Sequence, residues 1–173
     1  MSDGITLDGG RSWGEVSGMA GKTAIVLGTA DGIGRAVALG VAATGARVVC
    51  VDVNPSIAEA AADQIRQGGG EAAATTADVT DRLQVRKAVA FAAATYGSVN
   101  YCVDVVGAAP LTPIVGGDDE IWDLAMNLNL RQAYQVLHGF GKLIFVRSHK
   151  FDRLAFTDKP TGKGRDHSDG NAH

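Results

Sequence analysis

Cysteine is scarce in this chain, with 2 in 173 residues, Cys50 and Cys102. Both lie in apolar runs and read as core thiols on neighbouring buried strands in a reducing compartment. Together with 4 scattered histidines, they offer no metal-ligand spacing. Three of those histidines, His149, His167 and His173, fall in the last 25 residues. Neither a disulfide framework nor a metal centre is expected. No apolar run approaches the roughly 20 residues that cross a bilayer. A basic-then-apolar signal segment is also missing, so a cytoplasmic protein without a membrane partner is expected. There is no basic surplus: the net charge is -3, which gives no reason to expect nucleic acid. Aromatic residues make up only 6%, but 46% hydrophobic and 20% charged residues are ordinary for a globular domain.

What is present is an alternation of apolar runs and amphipathic stretches. Residues 1–20 are rich in Gly, Ser and charge without periodicity, and read as a flexible leader. The pattern then predicts strands at 23–28, 47–52, 72–77, 99–106 and 142–146. It predicts helices at 32–44, 55–67, 80–95 and 118–138. The first helix shows Ile33, Val37 and Val41 on one face, and the third has Leu83, Val85, Val89 and Phe91 as apolar positions. Pro55 opens the second helix and Gly68-Gly69-Gly70 closes it. Near-continuous apolar strands between helices argue for a parallel sheet covered on both faces. Right-handed crossovers then give a doubly wound α/β fold with strand order 3-2-1-4-5, over residues 21–146. Charge changes sign beyond it. Residues 1–141 carry 9 Lys and Arg against 15 Asp and Glu, whereas residues 142–173 carry 7 against 4. Residues 147–173 are expected to be a basic, disordered tail.

The chemistry concentrates at Thr23-Ala24-Ile25-Val26-Leu27-Gly28-Thr29-Ala30-Asp31-Gly32-Ile33-Gly34-Arg35. An apolar run ends in three glycines and a helical pattern follows at once. Asp52 closes the next apolar run. Gly28 allows a sharp exit from the strand; Gly32 and Gly34 let backbone N–H groups approach a pyrophosphate at the helix N-terminus. Glycines at such a turn are also an ordinary tight turn, but the flanking strand, helix and distant acid make a Rossmann-like dinucleotide site the better reading. Asp52 then accepts from ribose hydroxyls. A carboxylate there repels a 2′-phosphate by about 4 kcal/mol per unit charge at ~4 Å and a dielectric of ~20. Asp31 adds to that repulsion, so NAD is expected over NADP.

Gly28-x-x-x-Gly32-Ile33-Gly34 resembles the cofactor turn of the short-chain dehydrogenases/reductases, with Leu27 where that family usually has threonine. Asp78-Val79-Thr80-Asp81 is similar to its segment after the third strand, which implies that Asp78 and Val79 meet the adenine. Its Asn-Asn-Ala-Gly stretch appears as Asp104-Val105-Val106-Gly107, where Gly107 alone matches. Trp122-Asp123 followed by Leu128-Asn129-Leu130-Arg131 is similar to the stretch with the family's catalytic asparagine, which implies that role for Asn129. The resemblance covers roughly residues 19–138. Lys142 to Ser148 would stand for the fifth strand, with Ser148 as the catalytic serine.

The family's Tyr-x-x-x-Lys has no counterpart. No tyrosine follows Tyr134, and the family's spacing from Ser148 lands near Thr161 and Arg165. A threonine hydroxyl does not titrate near pH 7, so it cannot replace the tyrosine acid/base. Tyr134 and His138 read as ordinary side chains of an amphipathic helix. The resemblance implies an oxidoreductase that passes hydride between NAD(H) and a small alcohol or ketone. It also implies a homo-oligomer, but the helix that forms the usual interface is absent. Turnover is expected to be impaired by truncation or alteration after about residue 138. A non-catalytic NAD-binding module and an inactive fragment remain open beside it.

Overall fold

The computed structural model describes residues 13–109, 113 and 115–147. Helix α1 (Trp13–Ser17) precedes β1 (Thr23–Leu27), α2 (Ile33–Ala43), β2 (Arg47–Asp52), α3 (Pro55–Gln67), β3 (Ala72–Thr76), α4 (Arg82–Tyr96) and β4 (Tyr101–Asp104). Helix α5 (Asp119–Met126), a π-helical turn (Asn127–Arg131) and α6 (Gln132–Arg147) follow. The strands form one parallel sheet in the order β3-β2-β1-β4.

The sheet is buried on both faces, and this explains its apolar strands. All five residues of β1 are buried. Alternate side chains enter two separate cores. Ile25, Leu27, Val49 and Val51 pack with Val85, Val89, Val136 and Phe140 from α4 and α6. Val26, Val48 and Cys50 pack on the other face with Ala38, Ala61, Ala62 and Ile65 from α2 and α3. The alanine-rich faces of α2 and α3 let those helices lie close to the sheet.

Side chains mark where α3, α4 and α5 begin. Asn54 accepts from the Ser56 N–H at 3.0 Å, with Pro55 in the first turn. Asp81 accepts from Leu83 N–H at 2.7 Å, and Asp118 from Glu120 N–H at 2.8 Å. Such caps satisfy N–H groups that the helix itself leaves unpaired. Helix α2 differs: its N-cap is Gly32, at φ 101°, with no side-chain bond.

The fold corrects several expectations. Residues 142–146 are not a strand; they continue α6 to Arg147, so the described sheet has four strands. Gly139 and Gly141 stand in the helix beyond its expected end at 138, and neither has positive φ. A Cβ at Gly139 would stand 3.0 Å from Val85 Cγ1, so this glycine permits close packing of α6 on α4. The single helix expected at 118–138 is interrupted by the π-helical turn. The leader expected through residue 20 contains α1, whose Gly14 packs against the Thr44 carbonyl. Residues 1–12 and the tail beyond Arg147 lie outside the described residues. The two cysteines are not on neighbouring strands, because β1 lies between β2 and β4. Both are free, and burial pushes each thiol up to about 12. Among the supposed apolar faces, Ile33 is 77% exposed, and Leu83 and Phe91 also point outward. Among the described residues no helix is long and apolar enough to cross a membrane.

Two glycines of α2 make opposite predictions. A Cβ at Gly34 would run into the Gly28 backbone carbonyl, whereas Gly40 has nothing within 4 Å. Gly40→Ala should therefore stabilise the fold by about 0.5–1 kcal/mol. Gly34→Ala should destabilise it by about 1–3 kcal/mol, as overpacking does. Thermal unfolding of the two variants checks both signs.

Candidate functional site

A cleft of about 580 Å³ opens at the carboxyl ends of the strands. Gly28 lines it after β1, Asp52 and Val53 at the end of β2, Ala77 to Thr80 after β3, and Val106 after β4. This is the switch point of the sheet, because β1 pairs with β2 on one side and β4 on the other. Open parallel sheets take their ligands there, and the volume is that of an ordinary small-molecule site.

The glycine turn is built by close approach. Gly28, at φ 82°, donates its N–H to the Val51 carbonyl at 2.8 Å. A Cβ on Gly28 would stand 2.8 Å from Val106 Cγ2. Arg35 ties the turn down from α2. Its Nε donates to the Thr29 carbonyl at 3.2 Å, and its guanidinium meets Asp31 at 3.3 Å. The Asp31 side chain is 93% exposed, so that pair contributes little stability. Gly32 and Ile33 are exposed at the start of α2, and Gly34 is buried beneath them.

The acids of the cleft are held from behind. Asp52 is only 8% exposed, and its Oδ1 accepts from Asn54 N–H at 3.0 Å. Asp78 Oδ1 accepts from the Thr80 N–H at 2.8 Å and the Thr80 hydroxyl at 2.6 Å. The Asp78 N–H donates to Gln84 Oε1 at 3.0 Å. Gln84 Nε2 in turn donates to Asp81, whose carboxyl is held low by that bond and by the Leu83 and Gln84 N–H groups. Val79 lines the cleft between these groups.

The opposite wall comes from one helical face that the sequence reading did not single out. Leu124, Asn127, Leu128, Arg131 and Gln135 all line the cleft. Their spacing of about one helical turn was the available signal. Arg35 was missed as well, since nothing in a turn motif announces its staple.

Asn129 does not line this cleft. Its Oδ1 accepts from Ala108 N–H at 3.2 Å, while its Nδ2 donates to the Ala108 carbonyl at 2.6 Å and the Ala125 carbonyl at 2.8 Å. The amide thus takes the carbonyl four residues back that a regular α-helix would give to its own N–H. The π-turn and this bond belong together. The same clamp explains Gly107, where a Cβ would stand 2.8 Å from Asn129 Oδ1. Ser148 lies outside the described residues. Tyr134 is exposed, with its ring 6.1 Å from that of His138, and it does not line the cleft. Among the described residues no group of three His, Cys, Asp or Glu gathers as a metal site.

Asp104 stands at the end of β4, in a second cavity of about 380 Å³ with Cys102, Asn129 and Gln132. Burial raises its carboxyl above the ordinary Asp range, against the lowering effect of the Val106 N–H and Gln132. A raised folded value means stability that is present at acid pH and lost as pH rises through it. Asp104→Asn keeps the acceptor for Val106 N–H, 3.1 Å away, and removes the desolvated charge. The variant should melt a few degrees higher at neutral pH. That gain should shrink as pH falls through the raised folded value and be gone below the ordinary Asp value of about 3.9. Equal gains at both pH values would contradict the assigned cause.

Comparison with known proteins places this geometry. Residues 22–149 match the family model described as short chain dehydrogenase. The chain is 35% identical over 122 residues to D-threitol dehydrogenase of Mycolicibacterium smegmatis, covering 70% of this chain and 47% of that protein. It is 34% identical over 116 residues to 7alpha-hydroxysteroid dehydrogenase of Escherichia coli, covering 67% and 42%. Among solved structures, a short chain dehydrogenase from Mycobacterium smegmatis superposes with a TM-score of 0.73 at 26% identity, covering 76% of this chain and 55% of that one. The chain therefore spans about half the length of the relatives it matches. The glycine turn, the parallel sheet and the match over residues 22–149 make this chain a member of the short-chain dehydrogenase family.

Proposed function

We propose that this chain holds NAD in the cleft and serves an oxidoreductase acting on an alcohol/ketone pair. The family works with nicotinamide cofactors and small-molecule substrates. The observation that carries the NAD reading is the pairing of the Gly28–Gly34 cradle with buried Asp52 across the switch point. Gly28 and Gly34 let the turn fold tightly against Val106 and against itself, and Gly32, with nothing within 4 Å of its added Cβ, leaves the start of α2 open to a dinucleotide. When bound, the nicotinamide ring supplies the hydride donor or acceptor.

The chain's own residues bind and orient. The uncapped start of α2 offers backbone N–H groups and the positive end of a helix dipole to the pyrophosphate, with Gly32 and Ile33 at the opening. Asp52 accepts from the adenosine ribose hydroxyls and disfavours a 2′-phosphate. Asp78 and Val79 face the adenine. Asn129 fixes the loop at Gly107 and Ala108 beyond β4. Asn129 and Ser148 are the catalytic candidates implied by the resemblance, although Ser148 follows helix α6 and not the expected fifth strand.

A second reading has one observation in its favour. No tyrosine follows Tyr134 among the 173 residues, so the family's tyrosine acid/base and its lysine are not in this stretch. These residues by themselves then bind NAD and turn over little, as a non-catalytic module would.

Nicotinamide fluorescence on titration with NADH and NADPH tests the shared part of both readings. Binding of NADH should saturate and should be stronger than that of NADPH by at least about tenfold, given the like charge at Asp52. Asp52→Ala should weaken NADH by about 10- to 100-fold, as expected for lost charge-assisted hydrogen bonds, and should narrow the gap to NADPH. No saturation at millimolar NADH would sink the cofactor reading. Hydride transfer to simple ketones, assayed in parallel, separates an oxidoreductase from a binding module.

A further inference from the structure

Gln135 is the cleft residue whose position the fold does not explain. It lies on α6, is 9% exposed and lines the cleft, yet its Oε1 has no hydrogen-bond partner among the described residues. A buried amide oxygen without a partner is costly, and native structures leave few of them. An apolar side chain would fill the same place beside Val136 and Phe140 without that cost. The amide therefore points to a partner that arrives from the cleft. The last side-chain torsion of Gln is soft and roughly two-fold, so its oxygen and nitrogen can exchange places facing the cleft.

We propose that Gln135 reads the base of the bound dinucleotide, pairing its amide with the donor–acceptor edge of adenine. This rests on the cofactor reading above and deepens it. The position in the cleft selects the base over the rest of the ligand. The pyrophosphate needs donors, which the α2 start supplies, and the ribose is taken by Asp52. The lining beyond Asp52 includes Asp78, Val79, Thr80, Leu128, Arg131 and Gln135. An amide edge presents one acceptor beside one donor. Adenine presents the complement, a 6-amino group beside a ring nitrogen, and Gln pairs with adenine in this bidentate way elsewhere in biology. Asp78 has one oxygen already committed to Thr80, which leaves room for a second polar reader on the opposite wall.

The test uses the whole chain with Gln135→Leu and Gln135→Met, which keep the bulk and remove the amide. Affinities for NADH and AMP are measured by fluorescence titration and competition, and thermal unfolding is followed without ligand. Both variants should bind NADH and AMP about five- to tenfold more weakly, the effect of one or two neutral hydrogen bonds. Without ligand they should unfold at the same temperature as the parent or higher, because a buried unpaired amide oxygen is gone. Undiminished affinity for NADH and AMP in both variants overturns the assignment while leaving the cofactor reading intact. Weaker binding accompanied by a clear fall in unfolding temperature makes Gln135 a structural residue and also overturns it. If the parent chain binds neither NADH nor AMP, the cofactor reading and the assignment fall together.

Discussion

The contact between the Gly28 carbonyl and the Cα of Gly34 sets the geometry on which the rest of the site depends. Only a residue without a side chain can stand at position 34, because a Cβ would occupy the space of the carbonyl oxygen. That approach fixes how sharply the chain leaves β1 and where α2 begins. It also leaves the first turn of α2 facing open space with a glycine cap, while α3, α4 and α5 close theirs with Asn54, Asp81 and Asp118. A helix end spared its own cap has N–H groups to give to an anion. Asp52 then falls into place because β2 pairs in register with β1, with Leu27 opposite Val51.

The second constraint is the helical segment after β4. A straight α-helix from Asp119 onward would carry a steady face past the cleft. The π-turn at Asn127–Arg131 inserts an extra residue per turn and lets the Asn129 amide leave the helix to hold Ala108. The loop after β4 is thus fixed by one side chain rather than by a further strand. Gln132 repeats the pattern one turn on, donating from Nε2 to the Val106 carbonyl at 2.9 Å. Two amides from one helix therefore position the backbone between Val106 and Ala108, at the rim shared by both cavities.

Much of this was legible from residues alone, and for identifiable reasons. Strands β1 and β2 announce themselves because burial on both faces demands continuous Val, Ile and Leu. Helix α3 is bounded by chemistry that acts locally, Asn54-Pro55 at one end and Gly68 at the other. The failures arise where one residue type serves two purposes. The helix expected to end at 138 runs on through Gly139, whose role is steric: it brings α6 against Val85. The run Leu143-Ile144-Phe145-Val146 has strand composition, yet it continues a helix already begun, and propensity is a weak signal against an established helix. Asn129 was found through resemblance, but its contacts depend on a π-turn that periodicity does not reveal. Gln135 was invisible because a polar residue in an amphipathic helix is usually on the wet side, and burial is a tertiary fact.

The distribution of donors and acceptors in the cleft carries the strongest argument for orientation. At the glycine turn the available polar groups are backbone N–H donors, and the adjacent Gly28 and Gly34 have no side chains to compete with them. At the ends of β2 and β3 the fixed groups are acceptors, the carboxylates of Asp52 and Asp78, each anchored by backbone or hydroxyl donors behind it. A ligand placed across the switch point must therefore bring acceptors to the first region and donors to the second. The proposed dinucleotide meets this demand with its central pyrophosphate over α2 and the ribose hydroxyls and amino group of one half toward β2 and β3. A ligand shifted so that its phosphates met Asp52 and Asp78 would bring like charges together. At an effective dielectric of ~20 each such pair costs about 4 kcal/mol at ~4 Å. The polarity of the sheet ends therefore decides where a phosphate-bearing ligand can set its charge before any substrate residue takes part.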